Sequence, residues 1–422
     1  MYHAHRALAA LALTSLLFAG CAGPTAETQG GTPGAGSAAT SPAVPPPPSN
    51  LTGGDFAWEL LRTLRAEATD KNLFFSPASV TAALCLALEG ASGTTHEAIA
   101  DTLGLSDAAG QDCRLLVGAL ARTRNATGAE VDVANSVWIR ETFAPSVNLT
   151  FLEALQTDFD AGAFVRPFDE ETKDELNAWV SNATRGMIPT LLEELPDSLV
   201  MLLANAIYFD GRWAARFDAN LTAPEDFRLP GGSTVQVPMM QNASAANVSL
   251  AYGDGFLAAR LPYADGDHAM YILLPDENRT LEGVTANLTG EGWATLIAGM
   301  VPVPKVDLQL PKFSLDWGAD LKPVLSNLGM EVAFDPRAAD FTRIADVSPE
   351  RLYIGFVTHK AKLEVDEEGT RAAAVTGVGI HLTSVQPPPP EFHVDRPFVL
   401  AIVDDKLGMP LFLGAVVNPL AG

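Results

Sequence analysis

The residues that could act as nucleophiles, bases or metal ligands do not occur at the spacings that such chemistry requires. Ser233 lies in Gly-Gly-Ser-Thr-Val, which lacks the closing glycine of a turn that presents a nucleophilic serine. His96-Glu97 has no second histidine four residues after the first, so a zinc-protease helix is excluded. Gly377 and Gly379 have no third glycine after them, and no phosphate-binding P-loop pattern occurs. The sequence therefore predicts no enzyme, no metal site and no cofactor.

The three cysteines are too few and too far apart for a zinc site or a disulfide scaffold. Cys21, Cys85 and Cys113 contain no Cys-x-x-Cys pair. A single Cys85–Cys113 disulfide is compatible with the sequence. However, Cys85 lies in the apolar run AALCLALEG, which is more simply interpreted as a site for a small buried hydrophobic side chain.

Asparagine usage indicates export. Nine of the fifteen asparagines begin Asn-x-Ser/Thr triplets, where chance would give about two, and this triplet is the acceptor of N-linked oligosaccharide on protein surfaces. We therefore expect a glycoprotein made by a cell that glycosylates exported proteins. The nine acceptors are Asn50, Asn125, Asn148, Asn182, Asn220, Asn242, Asn247, Asn278 and Asn287.

The first 54 residues are predicted to be an export signal followed by a tether. The apolar run at 7–19 follows His3, His5 and Arg6, and it is too short to span a bilayer comfortably but typical of a secretory signal. It ends in Leu-Phe-Ala-Gly-Cys21, which resembles the lipobox of prokaryotic lipoproteins. We expect a signal peptide at 1–20 and lipidation at Cys21, with ordinary secretory cleavage nearby as the alternative. Residues 21–54 are rich in Gly, Pro and Ser and would hold a domain at 55–422 clear of a surface.

Composition and periodicity predict one α+β domain after the tether. The 47% hydrophobic content supports a large core, and a net charge of -24 disfavours nucleic acid and anionic membrane as partners. Apolar residues at helical spacing and strand-like runs then alternate, with a β-rich second half that indicates large, mostly antiparallel sheets. The predicted helices include 56–64, 80–88 (after an N-cap at Ser76 and Pro77), 147–155 and 172–185, and the predicted strands include 131–139, 199–209, 256–263, 352–365, 397–403 and 410–417.

A segment near the C-terminus has the pattern of a strand with one buried side. After the acidic pair Glu367-Glu368 and Gly369 come small and β-branched residues, and then four prolines at 387–390. Alternate positions from Thr370 separate an uncharged face from a face that carries Arg371. A plain edge strand or an alanine-rich loop is the alternative. The uncharged face consists of Thr370, Ala372, Ala374, Thr376, Val378 and Ile380.

Several segments in order along 55–420 resemble the serpin family. The resemblance implies three β-sheets, eight or nine helices and an exposed reactive loop, and it assigns Ser76, Ser79 and Asn205 to the shutter, where the central sheet opens. The similar segments are 72–79 (NLFFSPAS), 205–213 (NAIYFDGRW), 310–313 (LPKF), 328–330 (LGM), 359–360 (HK), 365–370 (VDEEGT), 396–398 (RPF), 411–414 (LFLG) and 418–419 (NP).

The resemblance implies that residues 369–386 form a bait for a protease. In inhibitory serpins the protease cleaves this loop and forms an acyl-enzyme, and the freed segment inserts into the central sheet and distorts the protease. The hinge of this movement falls on residues with small or uncharged inward side chains, which favours an inhibitor over a non-inhibitory serpin. The hinge residues are Glu367, Gly369, Thr370, Ala372, Ala373 and Ala374.

The usual spacing of the family from Glu367 places the reactive bond at Thr383–Ser384, within a window from His381 to Gln386. Leu382 as the specificity residue would suit chymotrypsin-like or subtilisin-like proteases, and Thr383 would suit elastase-like ones. The window contains no Arg or Lys, which disfavours trypsin-like targets, and a cysteine protease remains an alternative.

Other functions are weaker interpretations of the same sequence. A non-inhibitory serpin that acts as a binding or chaperone-like surface protein is the main alternative, and a structural surface glycoprotein is a third. Activation by a sulfated polysaccharide is disfavoured because Arg114, Arg122 and Arg124 are sparse in an acidic chain. We expect a monomer outside the cell or at its surface, bound to membrane only through a lipid anchor.

Overall fold

The computed structural model describes residues 55–122, 129–370 and 388–421, apart from the side chains of 121 and 122. All of these belong to one compact unit within residues 46–422. The predicted signal at 1–20, the tether at 21–54 and loop residues 371–387 lie outside the described residues.

Nine helices lie in the described ranges, when α9, α10 and the π-turn Ser326–Met330 between them are counted as one. They are α1 Asp55–Glu67, α2 Pro77–Gly90, α3 Gly93–Thr102, α4 Ala109–Arg122, α5 Leu149–Phe159, α6 Glu170–Ala183, α7 Leu281–Thr285, α8 Gly290–Ala298, α9 Lys322–Leu325 and α10 Glu331–Phe334.

Seventeen strands in the same ranges form three sheets. The strands are β1 Leu73–Phe75, β2 Ala129–Arg140, β3 Ala161–Arg166, β4 Met201–Arg212, β5 Ala223–Arg228, β6 Thr234–Ala245, β7 Val248–Gly253, β8 Phe256–Pro262, β9 His268–Pro275, β10 Val301–Val303, β11 Val306–Pro311, β12 Phe313–Asp320, β13 Thr358–Val365, β14 Gly369–Thr370, β15 Glu391–His393, β16 Phe398–Asp404 and β17 Met409–Val416. The six-stranded central sheet has the order β12-β13-β14-β4-β2-β3, the seven-stranded sheet β1-β17-β16-β9-β8-β7-β10, and the four-stranded sheet β15-β11-β6-β5.

The architecture confirms the predicted α+β class with three sheets and eight or nine helices. One predicted strand is shorter than expected, since only Thr358–Val365 of the run at 352–365 is a strand. Its partner β12 ends at Asp320, which pairs with Thr358. One further backbone bond follows, from the Leu321 N–H to the Val357 carbonyl, and no ladder in the described ranges includes residues 352–356. Apolar content alone does not make a strand where the ladder has ended.

Helix α2 forms the centre of the core, as its nearly uniform apolar surface predicts. The Ser76 side chain accepts a hydrogen bond from the Ser79 backbone N–H at 3.0 Å, and Pro77 occupies the first helical turn. Leu84, Leu86 and other residues around the helix are buried. A helix buried on all sides is held by packing rather than by an amphipathic stripe.

The structure decides between the two alternatives that the sequence left open for Cys85, in favour of the disulfide. Cys85 forms a disulfide with Cys113, which links α2 to α4 across 28 residues of sequence. Both cysteines are buried, so the apolar surroundings of Cys85 were correctly predicted, whereas the formation of the bridge was only one of the alternatives. The packing of α4 against α2 is a long-range contact that the local sequence pattern does not contain.

Replacing both cysteines by alanine is expected to lower the free energy of unfolding by about 3–4 kcal/mol, because the unfolded chain loses a closed 28-residue loop. Urea unfolding of the oxidised protein and of the double variant measures this difference. Equal urea midpoints would contradict it.

Candidate functional site

The central sheet has an opening between β4 and β13. On their outer sides, β4 pairs with β2 and β13 pairs with β12. On their facing sides both pair only with the two-residue strand β14, and no ladder in the described ranges joins them directly. Because β14 bonds to both, the two strands lie two ladder spacings apart there, about 9–10 Å. That distance accommodates one strand.

Thr370 occupies the top of this opening. It lies opposite Gly211 of β4 and Val365 of β13, and it is only 2% exposed. Its Oγ1 atom is 2.7 Å from the hydroxyl of Tyr263, which stacks on Trp213. Burial raises the pKa of Tyr263 well above its usual value, so the phenol stays protonated and can donate to Thr370.

Gly369 is required by the close approach of β4. A Cβ atom at this position would lie 2.1 Å from the carbonyl oxygen of Gly211. The backbone of β4 cannot yield without breaking its ladder with β2. The predicted hinge glycine thus supplies space as well as the predicted backbone freedom.

The residues before the hinge are anchored by both side chain and backbone. Glu367 accepts hydrogen bonds from Lys312 Nζ and from Thr222 Oγ1, each at 2.8 Å. Partial burial opposes the charge of Glu367, but the bond from Lys312, a backbone hydrogen bond, the bond from Thr222 and the charge of Lys312 together lower the pKa of the carboxyl group. The Trp213 backbone N–H also donates to the carbonyl oxygen of Glu368 at 2.9 Å. The start of the loop is therefore fixed as far as Glu368.

The predicted shutter residues Ser76, Ser79 and Asn205 lie together, halfway down the opening. Ser76 Oγ donates to the Leu411 carbonyl at 2.6 Å, and Ser79 Oγ donates to Asn205 Oδ1. Asn205 in turn donates to Asn135 Oδ1 at 2.7 Å. These bonds connect the start of α2 to β17, connect α2 to β4, and connect β4 to β2 on the β4 side of the opening.

His359 completes this cluster from β13, and the sequence did not predict its role. Its Nε2 accepts a hydrogen bond from the Ser76 backbone N–H at 3.0 Å. Burial lowers the pKa of His359 to about 4, so the ring is neutral and can accept. Asn135 was not predicted as part of this cluster either, although its lack of a glycosylation triplet indicates a buried asparagine, and it is buried.

His359 is expected to make the protein less stable below neutral pH. Its pKa of about 4 in the folded protein lies below the ordinary value of 6.5. The contribution of neutral His359 to the free energy of unfolding is therefore complete above pH 6.5 and is lost as the pH falls towards 4. The shift corresponds to about 3 kcal/mol. Urea unfolding of the wild type and of His359→Gln between pH 7 and pH 4 measures it. Parallel curves for the two proteins would disprove the assignment.

A cavity of about 650 Å³ lies below the shutter. It extends from Asn205 and His359 past the first residues of β4, and apolar side chains of α2, such as Val80 and Leu84, form its floor. Residues 350–357, which form no strand, line its other side. The cavity therefore extends the opening between β4 and β13 beyond Thr358, the residue at which β13 begins.

The acceptor asparagines that the structure describes lie at the surface. Asn148, Asn182, Asn220, Asn247, Asn278 and Asn287 are exposed, and Asn242 is half-buried. By contrast Asn135 is buried, and Asn177 and Asn205 use their side chains to bind neighbouring segments. Asn50 and Asn125 lie outside the described residues. The surface location satisfies the steric requirement for glycosylation.

The remaining predicted site residues lie outside the described part of the chain. They are Cys21, Ala372, Ala373, Ala374, Leu382, Thr383 and Ser384. Among the residues described, no helix is long and apolar enough to cross a membrane, and no group of three side chains could hold a metal ion.

The chain is similar to known proteins along nearly its whole length. Residues 52–419 match the family model Serpin (serine protease inhibitor). The chain is 33% identical to Serpin-Z2B of Triticum aestivum and 36% identical to Iripin-2 of Ixodes ricinus, and each alignment covers 86% of this chain and 95% and 91% of those proteins. Similar solved structures include the thermophilic serpin tengpin in its native state (TM-score 0.78, 28% identity, 87% of this chain and 93% of tengpin). Thyroxine-binding globulin in complex with thyroxine is another (TM-score 0.76, 28% identity, 88% of this chain and 99% of the globulin). The chain belongs to the serpin family, whose members are generally inhibitors of proteases rather than enzymes.

Proposed function

We propose that this protein inhibits a serine endopeptidase by inserting its cleaved loop between β4 and β13. The observation that carries the proposal is the opening in the central sheet, in which Gly369 already pairs with β4 and Thr370 already pairs with both β4 and β13. Strand β14, which ends at Thr370, runs antiparallel to both β4 and β13. Further residues of the loop can therefore continue the same two ladders.

The register of β14 predicts where each inward residue would lie. Each step along the loop from Thr370 moves one residue back along β4 from Gly211 and along β13 from Val365. Ala372 would face Phe209 and Leu363, Ala374 would face Ile207 and Ala361, and Thr376 would reach Asn205 and His359 at the shutter. Since Thr370 points inward, the uncharged face of the loop is the buried one, and Arg371 points outward.

The two strands gain hydrogen-bond partners when the loop inserts. The facing edges of β4 and β13 have no described ladder partner below Thr370. An inserted strand would pair with both edges, as in β-augmentation. The stabilisation is available only after cleavage, because an uncut loop is tied to β15 at its other end.

The trapping reaction uses the nucleophile of the protease. The serine oxygen of the protease attacks the carbonyl carbon of Thr383, the C–N bond to Ser384 breaks, and the amine leaves with a proton. Insertion then competes with hydrolysis of the resulting ester. Leu382 is the alternative acyl residue, and the window from His381 to Gln386 favours chymotrypsin-, subtilisin- or elastase-like enzymes over trypsin-like ones. A cysteine protease would react in the same way through a thioester.

A panel of proteases tests the proposal directly. We expect at least one to form an SDS-stable complex and to release a C-terminal fragment that begins between Leu382 and Pro387, identified by mass spectrometry. Cleavage within that window by every active protease, without any stable complex, would disprove inhibition.

A binding protein without inhibitory activity is the second candidate. The structural similarity to thyroxine-binding globulin, a serpin solved in complex with thyroxine, favours this alternative. Both candidates share the fold, and only the inhibitor needs strand insertion. The protease panel therefore distinguishes them.

We also infer a position outside the cell or at its surface, for a monomer held by a lipid on Cys21. The signal-like run at 1–20, the tether at 21–54 and the exposed acceptor asparagines support it. Expression of Cys21→Ser in a lipoprotein-processing host is expected to release the protein into the soluble fraction. Equal retention of both forms in the membrane fraction would contradict lipidation.

A further inference from the structure

Two of the most exposed leucines stand in the middle of glycosylation triplets. Leu149, in the triplet at 148–150, is 72% exposed, and Leu221, in the triplet at 220–222, is 51% exposed. A single exposed leucine is common on protein surfaces. However, the described ranges contain only seven exposed large apolar side chains, and two of them follow an acceptor asparagine directly. The coincidence suggests that the two features are connected.

The backbone around Leu149 presents the amide nitrogen of its neighbour to solvent. Asn148 is the N-cap of α5, and its side-chain oxygen accepts a hydrogen bond from the Thr150 backbone N–H at 3.1 Å. Its own backbone N–H donates to the Ile344 carbonyl at 2.7 Å. The cap uses the oxygen of the side chain, so Nδ2, the atom to which a sugar is attached, is not needed for it. Attachment of a sugar is therefore compatible with the cap.

The turn around Leu221 is equally compatible with a sugar. Asn220 is exposed and lies in the short helical turn Ala219–Leu221. Its backbone N–H and its Nδ2 both donate to Oδ1 of Asp218, at 3.0 and 2.8 Å. An amide nitrogen that carries a sugar keeps one hydrogen, so the bond from Nδ2 can persist. As at Leu149, a fixed turn holds the acceptor beside an exposed leucine.

We propose that Asn148 and Asn220 carry N-linked oligosaccharides and that the sugar attached to each asparagine covers the leucine that follows it. A sugar ring presents C–H groups on its faces and hydroxyl groups at its rim, so it can remove apolar surface from water while it remains hydrated. The turn fixes the two side chains next to each other in the folded protein, whereas the unfolded chain samples many arrangements. The contact therefore stabilises the fold. This inference does not depend on inhibition of a protease.

The transfer needs a lipid-linked oligosaccharide and the transferase of an exporting cell. The Nδ2 atom of the asparagine attacks the anomeric carbon of the donor sugar, and a C–N bond forms. The bond from that carbon to the phosphate oxygen of the lipid breaks, and the lipid phosphate leaves with the electron pair. The proton lost from the amide passes to a base of the transferase. The hydroxyl residue two positions later completes the acceptor triplet.

The triplet at 287–289 is the matched contrast. Its middle residue is also a leucine, but Leu288 is only 5% exposed, so a sugar on Asn287 has no exposed leucine to cover. Asn242 differs in another way, because it is half-buried and its Nδ2 already donates to the Arg216 carbonyl at 3.1 Å. A stabilising contact between sugar and leucine is therefore expected at Asn148 and Asn220 and not at these two acceptors.

The test combines glycopeptide mass spectrometry with thermal unfolding of the full chain from a host that N-glycosylates exported proteins. Mass spectrometry should find sugar on both asparagines. Thr150→Ala removes the first triplet and keeps the cap, and Asn220→Gln removes the second. Each is expected to lower the melting temperature by about 2–4 °C, because apolar surface of the leucine returns to water. In Leu149→Gln and Leu221→Gln, which keep the triplets, the same removals should change it by less than about 1 °C.

Two controls separate the contact from other effects of the substitutions. Asn287→Gln should change the melting temperature by less than about 1 °C. In protein from a host without N-glycosylation, Thr150→Ala should have the same small effect whether residue 149 is leucine or glutamine. An asparagine without sugar would overturn the assignment at that position. Loss of sugar that lowers the melting temperature equally in the leucine and glutamine forms would overturn the contact.

Discussion

Replacement of Thr370 by arginine is expected to convert the protein from an inhibitor into a substrate of its target protease. The Thr370 side chain is 2% exposed, and its hydroxyl contacts Tyr263 inside the sheet. Because Thr370 already lies in the opening before cleavage, a guanidinium at this position is expected to be displaced from the uncut sheet. Insertion would then have to bury it without a partner, at a cost of several kcal/mol, of the order of a hundredfold or more in the rate of insertion. Gel analysis of complex against cleaved inhibitor should therefore show cleavage without SDS-stable complex.

The neighbouring position provides the matched control. Arg371 follows on the opposite face of the strand and is predicted to point outward after insertion. Arg371→Glu also changes charge, but it should leave the stoichiometry of inhibition within about twofold, as for most exposed substitutions. Trapping of protease by Thr370→Arg as efficiently as by the wild type would contradict the inward orientation of this face.

Cleavage of the loop is expected to raise the apparent melting temperature by about 10–20 °C. A strand of roughly ten residues would add hydrogen bonds on both edges, each worth about 1 kcal/mol. In a domain of this size, the melting temperature rises by about 1–2 °C for each kcal/mol of added stability. Thermal scans before and after cutting within 381–386 measure the change. A non-target protease can make the cut.

The same cut in Thr370→Arg provides the control for this result. Insertion is blocked in that variant, so its melting temperature should stay near that of the uncut form. A wild-type protein whose melting temperature does not change on cleavage would show that no strand inserts.

Patterns that are local in sequence predicted much of the fold and part of the site. The N-cap at Ser76, the apolar helix after it and the strand that became β4 are each encoded within about a dozen residues. The period of two from Thr370 predicted a buried face, and Thr370 is buried. The serpin-like segments contain Ser76, Ser79 and Asn205, which form one hydrogen-bonded cluster.

Contacts between distant segments could not be predicted in this way. The Cys85–Cys113 disulfide depends on how α4 packs on α2, and the role of His359 depends on a backbone N–H 283 residues away. The end of the strand at Thr358 is set by the length of β12 rather than by its own apolar content. A hydrogen bond from Lys360 of β13 to the Thr190 carbonyl likewise joins segments 170 residues apart.

Hydrogen exchange in β4 and β13, before and after cleavage of the loop, tests the central claim most directly. The account predicts that peptides covering Met201–Arg212 and Thr358–Val365 gain protection after the cut, because their facing edges acquire a ladder partner. The hydrogen exchange of peptides from β16 and β17 in the seven-stranded sheet should not change after the cut. Unchanged or faster exchange in β4 and β13 after complete cleavage would contradict strand insertion.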